Sequence, residues 1–420
     1  MKSTPSPLPA AGRLLPLLVL LAAPAALAQT FEGLGDPPAG GSQTTVKALS
    51  GDGSSIAGVT TQSGSLAEGV PPDQGYAWIG DSVTVMGYCP GAVTSDANRV
   101  SGDGTVFTGY CQIPEPAVPH GTVYHSQAFR WTATYGMRTI PLLPGGSNVG
   151  IAGLSTDGSV MAGSADASTG TDPSGNPTGV TENLVRWTPA TETVNLGFPS
   201  GWHAAVGIGI SGDGSVIVGQ GPDVNFNTQA FVWTQTEGFT ALGDLPGASE
   251  SEATAISTDG STVVGESGGQ AFRWTWGGGL QGLGGTSSTA VAVSADGRTA
   301  AVVSGQGTSR FASYRWTVSG GLAPLGNLPG GGSYCYVTGM SASGGILVGD
   351  SDSSSGIQAF VWTPAHGMQS LADVLSVTYH LGLTGWTLSN PQISADGQTI
   401  AGNGVNPSGQ TEAWRASLQW

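Results

Sequence analysis

A chain of 420 residues with 70 glycines, 26 prolines and only 10% charged residues is not a helical bundle, where Ala, Leu, Glu and Lys would dominate. Its 39% hydrophobic content, with 12 Trp, 10 Phe and 9 Tyr, excludes a disordered tail, and glycine lacks the every-third-residue period of collagen. Twelve basic against 28 acidic residues give a net charge of −16, which argues against a nucleic-acid partner, and no polybasic segment is present to draw the chain to anionic lipid.

At the N-terminus, Lys2 and Arg13 precede an apolar run at 14–26 that ends in Ala26-Leu27-Ala28. This reads as a signal peptide, residues 1–28, cut after Ala28. The run is too short for a membrane anchor and holds Pro16 and Pro24. Cleavage leaves a single domain, 29–420, with 10 basic and 28 acidic residues, a net charge of −18. It has no integral membrane segment and no lipid-anchor cysteine, so the expected location is secreted or periplasmic. Phe31-Glu-Gly-Leu-Gly-Asp36-Pro-Pro then resembles residues 239–246 further along. It reads as the fourth strand of a unit whose first three strands are missing.

From residue 50 the chain repeats. Ser-x-Asp-Gly occurs at 50–53, 101–104, 155–158, 211–214, 257–260, 294–297 and 394–397, with a degenerate Ser-Ala-Ser-Gly at 341–344. These are eight copies, spaced by about 49 residues on average. Each lies between two short apolar runs, so Asp-Gly predicts a hairpin turn. Asp52, Asp103, Asp157, Asp213, Asp259, Asp296 and Asp396 therefore have a structural turn role. One acid per repeat does not make a calcium loop, and no metal site is expected.

An aromatic strand follows each turn: Gln127-Ala-Phe-Arg-Trp131, Gln229-Ala-Phe-Val-Trp233, Gln270-Ala-Phe-Arg-Trp274 and Gln358-Ala-Phe-Val-Trp362, with weaker copies around Trp78, Trp187 and Trp316 and Trp414 at the Phe position of the last. Phe and Trp are two apart and share one strand face. Both faces are partly apolar, which places the strand between two sheets. A further strand follows a Gly-containing turn, as in Phe239-Thr-Ala-Leu-Gly. Four short antiparallel strands per repeat is the pattern of a β-propeller blade. The C-terminus stops after a third strand, which the N-terminal strand would complete, leaving no open edge. The expected fold is all-β: a propeller of eight four-stranded blades, with seven as the fallback.

The combination Q-A-F-R-W-T, then G-M or G-L, then L-G-x-L-P-G-G, then S-x-D-G-S-x-V-V-G resembles the extracellular HAF-repeat family of bacteria over nearly all of residues 31–420. The resemblance implies export and a propeller-like repeat fold. It transfers no catalytic residues.

Of three cysteines, Cys89 and Cys111 are the candidate disulfide by proximity in sequence, leaving Cys335. In a propeller the Ser-x-Asp-Gly turns and the turns before the fourth strand share one face. The longer connections share the other, including 113–126, 165–181, 221–228, 351–356 and 406–411 within blades and 198–203, 247–252, 328–336 and 371–389 between them. Function sits on variable loops over a rigid scaffold. The candidate binding face is therefore this one, with Tyr124, His125, Trp202, His203, Tyr334, Tyr336, Tyr379, His380 and Trp386 as its non-repeat aromatics and histidines. The plainer alternative is that these residues pack locally. A short helix is expected over 371–381.

Enzyme motifs are weak. Gly265-Glu-Ser-Gly-Gly269 matches G-x-S-x-G, but that motif needs a helix after the serine and here a repeat strand follows. Most mature arginines occupy the repeated strand position, which leaves few for a sialidase-like cluster. The expectation is a non-catalytic binding or scaffold module, monomeric, without cofactor, whose partner is a protein or glycan of the cell envelope. The alternative is a polysaccharide-active enzyme, a lyase or glycosidase, on the same scaffold. A purely structural surface protein is the third reading.

Overall fold

The computed structural model of the protein describes residues 29–35, 43–61, 73–115, 124–171, 177–305 and 310–420; the signal-peptide reading at 1–28 lies outside them. Thirty-two strands among these residues build eight blades of four. Blade 1 runs from Gln43–Leu49 to Ser82–Val85 and blade 2 from Thr94–Val100 to Gly136–Thr139. Blade 3 runs from Val149–Leu154 to Glu192–Gly197, and blade 4 from Val206–Ile210 to Gly238–Ala241. Blade 5 spans Ser251–Ile256 to Gly279–Gly284, blade 6 Ser288–Val293 to Gly321–Pro324, and blade 7 Cys335–Met340 to Gly367–Ser370. Blade 8 takes Thr387–Ile393, Thr399–Val405 and Thr411–Ser417 from the end of the chain and Thr30–Gly33 from its start. The eight-bladed expectation holds, and the seven-bladed fallback falls with it.

Each Ser-x-Asp-Gly turn is built the same way. The serine is buried, and its hydroxyl donates to the aspartate Oδ1 at 2.5–2.7 Å in all seven full copies. The same hydroxyl accepts the N–H five residues on, as from Val216 to Ser211 at 3.0 Å. Asp213 Oδ1 also accepts the Ser215 N–H at 3.0 Å, and Gly214 supplies a φ of +73° that a side chain would resist.

The turns also join one another. Backbone N–H groups donate from Asp52 to Gly102, Asp103 to Thr156, Thr156 to Gly212, Gly212 to Thr258, Asp259 to Ala295, Ala295 to Ala342, Ala342 to Ala395, and Ala395 back to Gly51, all at 2.8–3.1 Å. This belt of one hydrogen bond per blade junction returns to its starting turn.

The apolar interior is divided in the same way. Eight clusters each occupy one blade junction. At the junction of blades 4 and 5, Val218, Ala230 and Val232 meet Ala253, Val263, Phe272 and Trp274. The aromatic face of a blade thus packs back on the small residues of the preceding blade. The forward face carries the arginines: Arg130, Arg273, Arg315 and Arg415 each lie 5.8–5.9 Å from the ring centre of a Trp in the next blade. Opposite the aromatic ring of most blades, a glycine leaves room for the ring and for the carbonyl of the neighbouring strand of the same blade. A Cβ on Gly265 would stand 1.9 Å from the Glu252 carbonyl oxygen and 2.9 Å from the Phe272 ring.

Every first strand carries a one- or two-residue bulge at the same level, from Lys47 in blade 1 to Asn390 and Pro391 in blade 8. In blade 8, the closing strand pairs Phe31 with Ala416 and Gly33 with Trp414. Phe31 packs 5.4 Å from Trp386 and 6.0 Å from Trp414. Arg415 pairs with Glu32 at 2.5 Å. Of the expected helix 371–381, Leu371–Asp373 form one turn of α-helix, continued as a π-helical Val374–Thr378 where the helix ends. Cys89 and Cys111 are joined in a disulfide. Cys335 is buried and free, with its thiol pushed up to about 11 by burial.

Candidate functional site

Loop lengths set the shape of the long-loop face. The second and third strands of most blades span six to eight residues, but in blade 3 they are Met161–Thr171 and Pro177–Thr188, of 11 and 12 residues. Blade 2 has Phe107–Pro114 and Tyr124–Thr132. Much of the expected loop 165–181 is therefore strand, as are 113–114 and 124–126 of the loop 113–126, whose residues 116–123 lie outside the described ones: cross-strand pairing satisfies backbone polar groups that a loop would leave to water. At their base the two blades fuse into one eight-stranded sheet, through parallel pairing of Val149 with Gln127.

A cavity of about 680 Å³ lies between these two extended hairpins, within the size range of ligand pockets. Tyr110, Gln112 and Ser126 of blade 2 line one side, and Asn148, Ser164, Asp166, Thr181 and Glu182 of blade 3 the other. Asn148 bridges the two, its Oδ1 accepting the Ser126 N–H at 2.9 Å. Gln112 donates to the Ser126 hydroxyl at 3.1 Å.

The two carboxylates differ. Asp166 accepts the N–H groups of Ser147 and Asn148 at 2.8 and 2.6 Å and the Ser147 hydroxyl at 2.9 Å. Burial pushes its pKa up, but these donors outweigh it and hold the carboxyl below its ordinary value. Asp352 clamps the matching loop of blade 7 through Ser333 and Gly332, so Asp166 is a loop clamp. Glu182 accepts the Ser164 hydroxyl through Oε1 at 2.8 Å, and its Oε2 takes no hydrogen bond from a described residue. Tyr110 stands across the strand pair from Asp96, whose carboxyl is raised by burial.

The nine aromatic and histidine candidates do not converge. Tyr124 is exposed, and His125 Nδ1 lies 3.2 Å from Glu115 on the same hairpin. Trp202 packs edge-on against Phe231 at 6.0 Å, and His203 stacks on Phe226 at 4.0 Å. Tyr334 and Tyr336 flank Phe311 at 5.8 and 5.9 Å. Trp386 packs on the closing strand. Tyr379 is a correction, because the helical segment carries it down the side of blade 7 to the turn face. There it meets Trp420 and helps line a second cavity of about 420 Å³ with Ile346, Thr363 and His366. His380 follows at φ +56° and is exposed. These residues lie at four places around the ring.

The G-x-S-x-G serine is excluded as a nucleophile by its surroundings. Ser267 is buried, donates to the Glu250 carbonyl at 2.8 Å and accepts the Leu245 N–H at 3.0 Å. Gly268 and Gly269, at φ +58° and +79°, form the two-residue hairpin turn that follows. Among the described residues no group of three His, Cys, Asp or Glu could hold a metal ion, and no helix is long and apolar enough to cross a membrane.

No protein-family model and no curated protein matches the chain. Solved structures do. Oligogalacturonate lyase in complex with manganese matches at 13% identity and TM-score 0.42, over 78% of this chain and 96% of that one. The β-propeller domain of the Trilobed protease from Pyrococcus furiosus matches at 8% and 0.44, over 77% and 94%. TolB from Acinetobacter baumannii matches at 16% and 0.37, over 62% of this chain; the match spans only 61% of TolB.

Proposed function

We propose that this is an exported, non-catalytic binding module of the HAF-repeat kind, which takes a cell-envelope polysaccharide or protein in the loop-face cleft between blades 2 and 3. The observation that carries this reading is the cleft itself, a cavity of about 680 Å³ where, among the described residues, two neighbouring hairpins lengthen over a fused sheet. Export is supported by the signal-peptide pattern at 1–28 and by the Cys89–Cys111 disulfide, which belongs to an oxidising compartment. The test immobilises residues 29–420 and passes envelope extract over wild type and over Thr181→Arg, which fills the cleft with a long cationic side chain. Retention by wild type that is lost in the variant, at unchanged melting temperature, is expected. No retention, or equal retention by both, overturns the reading.

A polysaccharide-active enzyme is the second reading, favoured by one observation. Asp96, raised by burial and paired across the strands with the cavity-lining Tyr110, is a carboxyl of the kind used as a general acid. Appearance of new reducing ends in the retained polysaccharide, abolished by Asp96→Asn, would establish it; intact polysaccharide after prolonged incubation contradicts it.

A further inference from the structure

We infer that the ligand of the cleft is a neutral, hydroxyl-rich oligosaccharide, recognised through Glu182; this rests on the binding-module reading above. Three observations carry it. The first is the lining. Beside the apolar Val149, Ala165 and Val180, its side chains are hydroxyls (Tyr110, Ser126, Ser164, Thr181), amides (Gln112, Asn148) and carboxylates (Asp166, Glu182), and no Lys, Arg or His is among them. Such a wall suits a ligand that both donates and accepts hydrogen bonds. It repels a carboxylated, sulfated or phosphorylated chain, whose charge would find two carboxylates and no cation.

The second is the state of those carboxylates. Asp166 is fully engaged by the loop it clamps. Glu182 has one oxygen on Ser164 and the other turned to no described donor, so it is the acceptor left for a sugar hydroxyl. A hydrogen bond to a charged acceptor is among the stronger neutral-ligand contacts.

The third weighs against a peptide. Beyond Leu184, the third strand of blade 3 loses its outer partner and would offer an edge for strand addition. Two carbonyls of this stretch are already engaged. Asn183 Nδ2 donates to the Thr181 carbonyl at 2.8 Å, and the Ala205 N–H donates to the Glu182 carbonyl at 3.0 Å. Two main-chain acceptors of this stretch are thus taken, while Glu182 Oε2 takes no hydrogen bond from a described residue. Tyr110 supplies the one aromatic surface on which a sugar ring can lie.

The experiment is calorimetric titration of residues 29–420 with cellohexaose, maltohexaose, chitohexaose (fully N-acetylated) and hexagalacturonate. It uses wild type, Glu182→Gln and Glu182→Ala, each checked for an unchanged melting temperature. At least one of the three neutral hexamers is expected to bind, and hexagalacturonate to bind at least tenfold more weakly. Glu182→Ala should weaken the neutral ligand by roughly tenfold or more, the loss of one charge-assisted hydrogen bond. Glu182→Gln, which keeps an acceptor, should weaken it less. Binding of hexagalacturonate alone, failure of all three neutral hexamers, or neutral binding indifferent to Glu182→Ala overturns the inference. If the hexamers fail while extract retention stays dependent on Thr181 and is destroyed by protease, the ligand is a protein and the binding-module reading survives. If extract retention is also absent, both fall.

Discussion

Truncating Leu34 to alanine isolates the contribution of the closing strand. Leu34 is 5% exposed and packs with Val46, Ile56, Tyr76 and Trp78 of blade 1 and Ala401 and Ala413 of blade 8. Its N–H donates to the Ala413 carbonyl at 2.8 Å, a bond the substitution keeps. Buried Leu→Ala changes cost about 2–5 kcal/mol, the spread reflecting how far the site collapses. A strand bonded on one side only can shift toward the gap, which places this change near the lower end, about 2–3 kcal/mol. Thr30→Ala, at the exposed start of the same strand, should cost no more than about 0.5 kcal/mol. The assay is guanidinium unfolding followed by tryptophan fluorescence, in which a lowered midpoint at constant slope reports stability alone. If Leu34→Ala unfolds at the same midpoint as Thr30→Ala, the N-terminal strand is not docked in blade 8 and the closure is wrong.

Gly265→Ala should destabilise by about 3 kcal/mol or more, seen as a large drop in melting temperature, because its Cβ meets the Glu252 carbonyl at 1.9 Å and overpacking of this kind is not relieved by a rotamer change. Reducing the Cys89–Cys111 bond, which closes a separation of 22 residues, should lower stability by about 3 kcal/mol on the loop-entropy estimate; an unfolding midpoint unmoved by reductant would contradict this. The turn carboxylates predict acid sensitivity. Asp157, Asp213 and Asp296 are held below the ordinary carboxylate value, first by the hydroxyls of Ser155, Ser211 and Ser294 and then by backbone N–H groups. Groups depressed in the folded state stabilise it above their unfolded value, about 3.9, and that stability is lost as pH falls below 4 through the folded value. The unfolding midpoint should therefore fall below pH 4, and less steeply in Asp213→Asn than in wild type; a slope unchanged by the substitution counts against the turn role.

The fold was legible because each blade repeats its own instructions. Ser211 to Gly214 and Gln229 to Trp233 mark a turn and a buried strand wherever their pattern recurs, and the likeness of 31–38 to 239–246 identified a strand without a sheet. The contacts between blades were less visible. That Arg273 stacks on Trp316 of the next blade follows from which face of a strand looks forward, and this appears only once the ring is closed. The candidate site was half legible. The long connections 113–126 and 165–181 flagged the two blades that build the cleft. The aromatics chosen within the loops do not line that cleft; Trp202, Tyr334, Tyr336 and Trp386 pack against Phe231, Phe311 and Phe31. The polar residues that line the cavity are, apart from Tyr110, Ser, Thr, Asn, Gln, Asp and Glu, too common on any loop to stand out without the fold.

The most direct measurement is amide hydrogen exchange of residues 29–420, with and without the envelope fraction the protein retains. Added protection confined to the segments around Ser126, Asn148, Asp166 and Glu182 is the result the binding account predicts. Protection on the Ser-x-Asp-Gly face, or around Tyr379 and Trp420, with none at those four segments would contradict it.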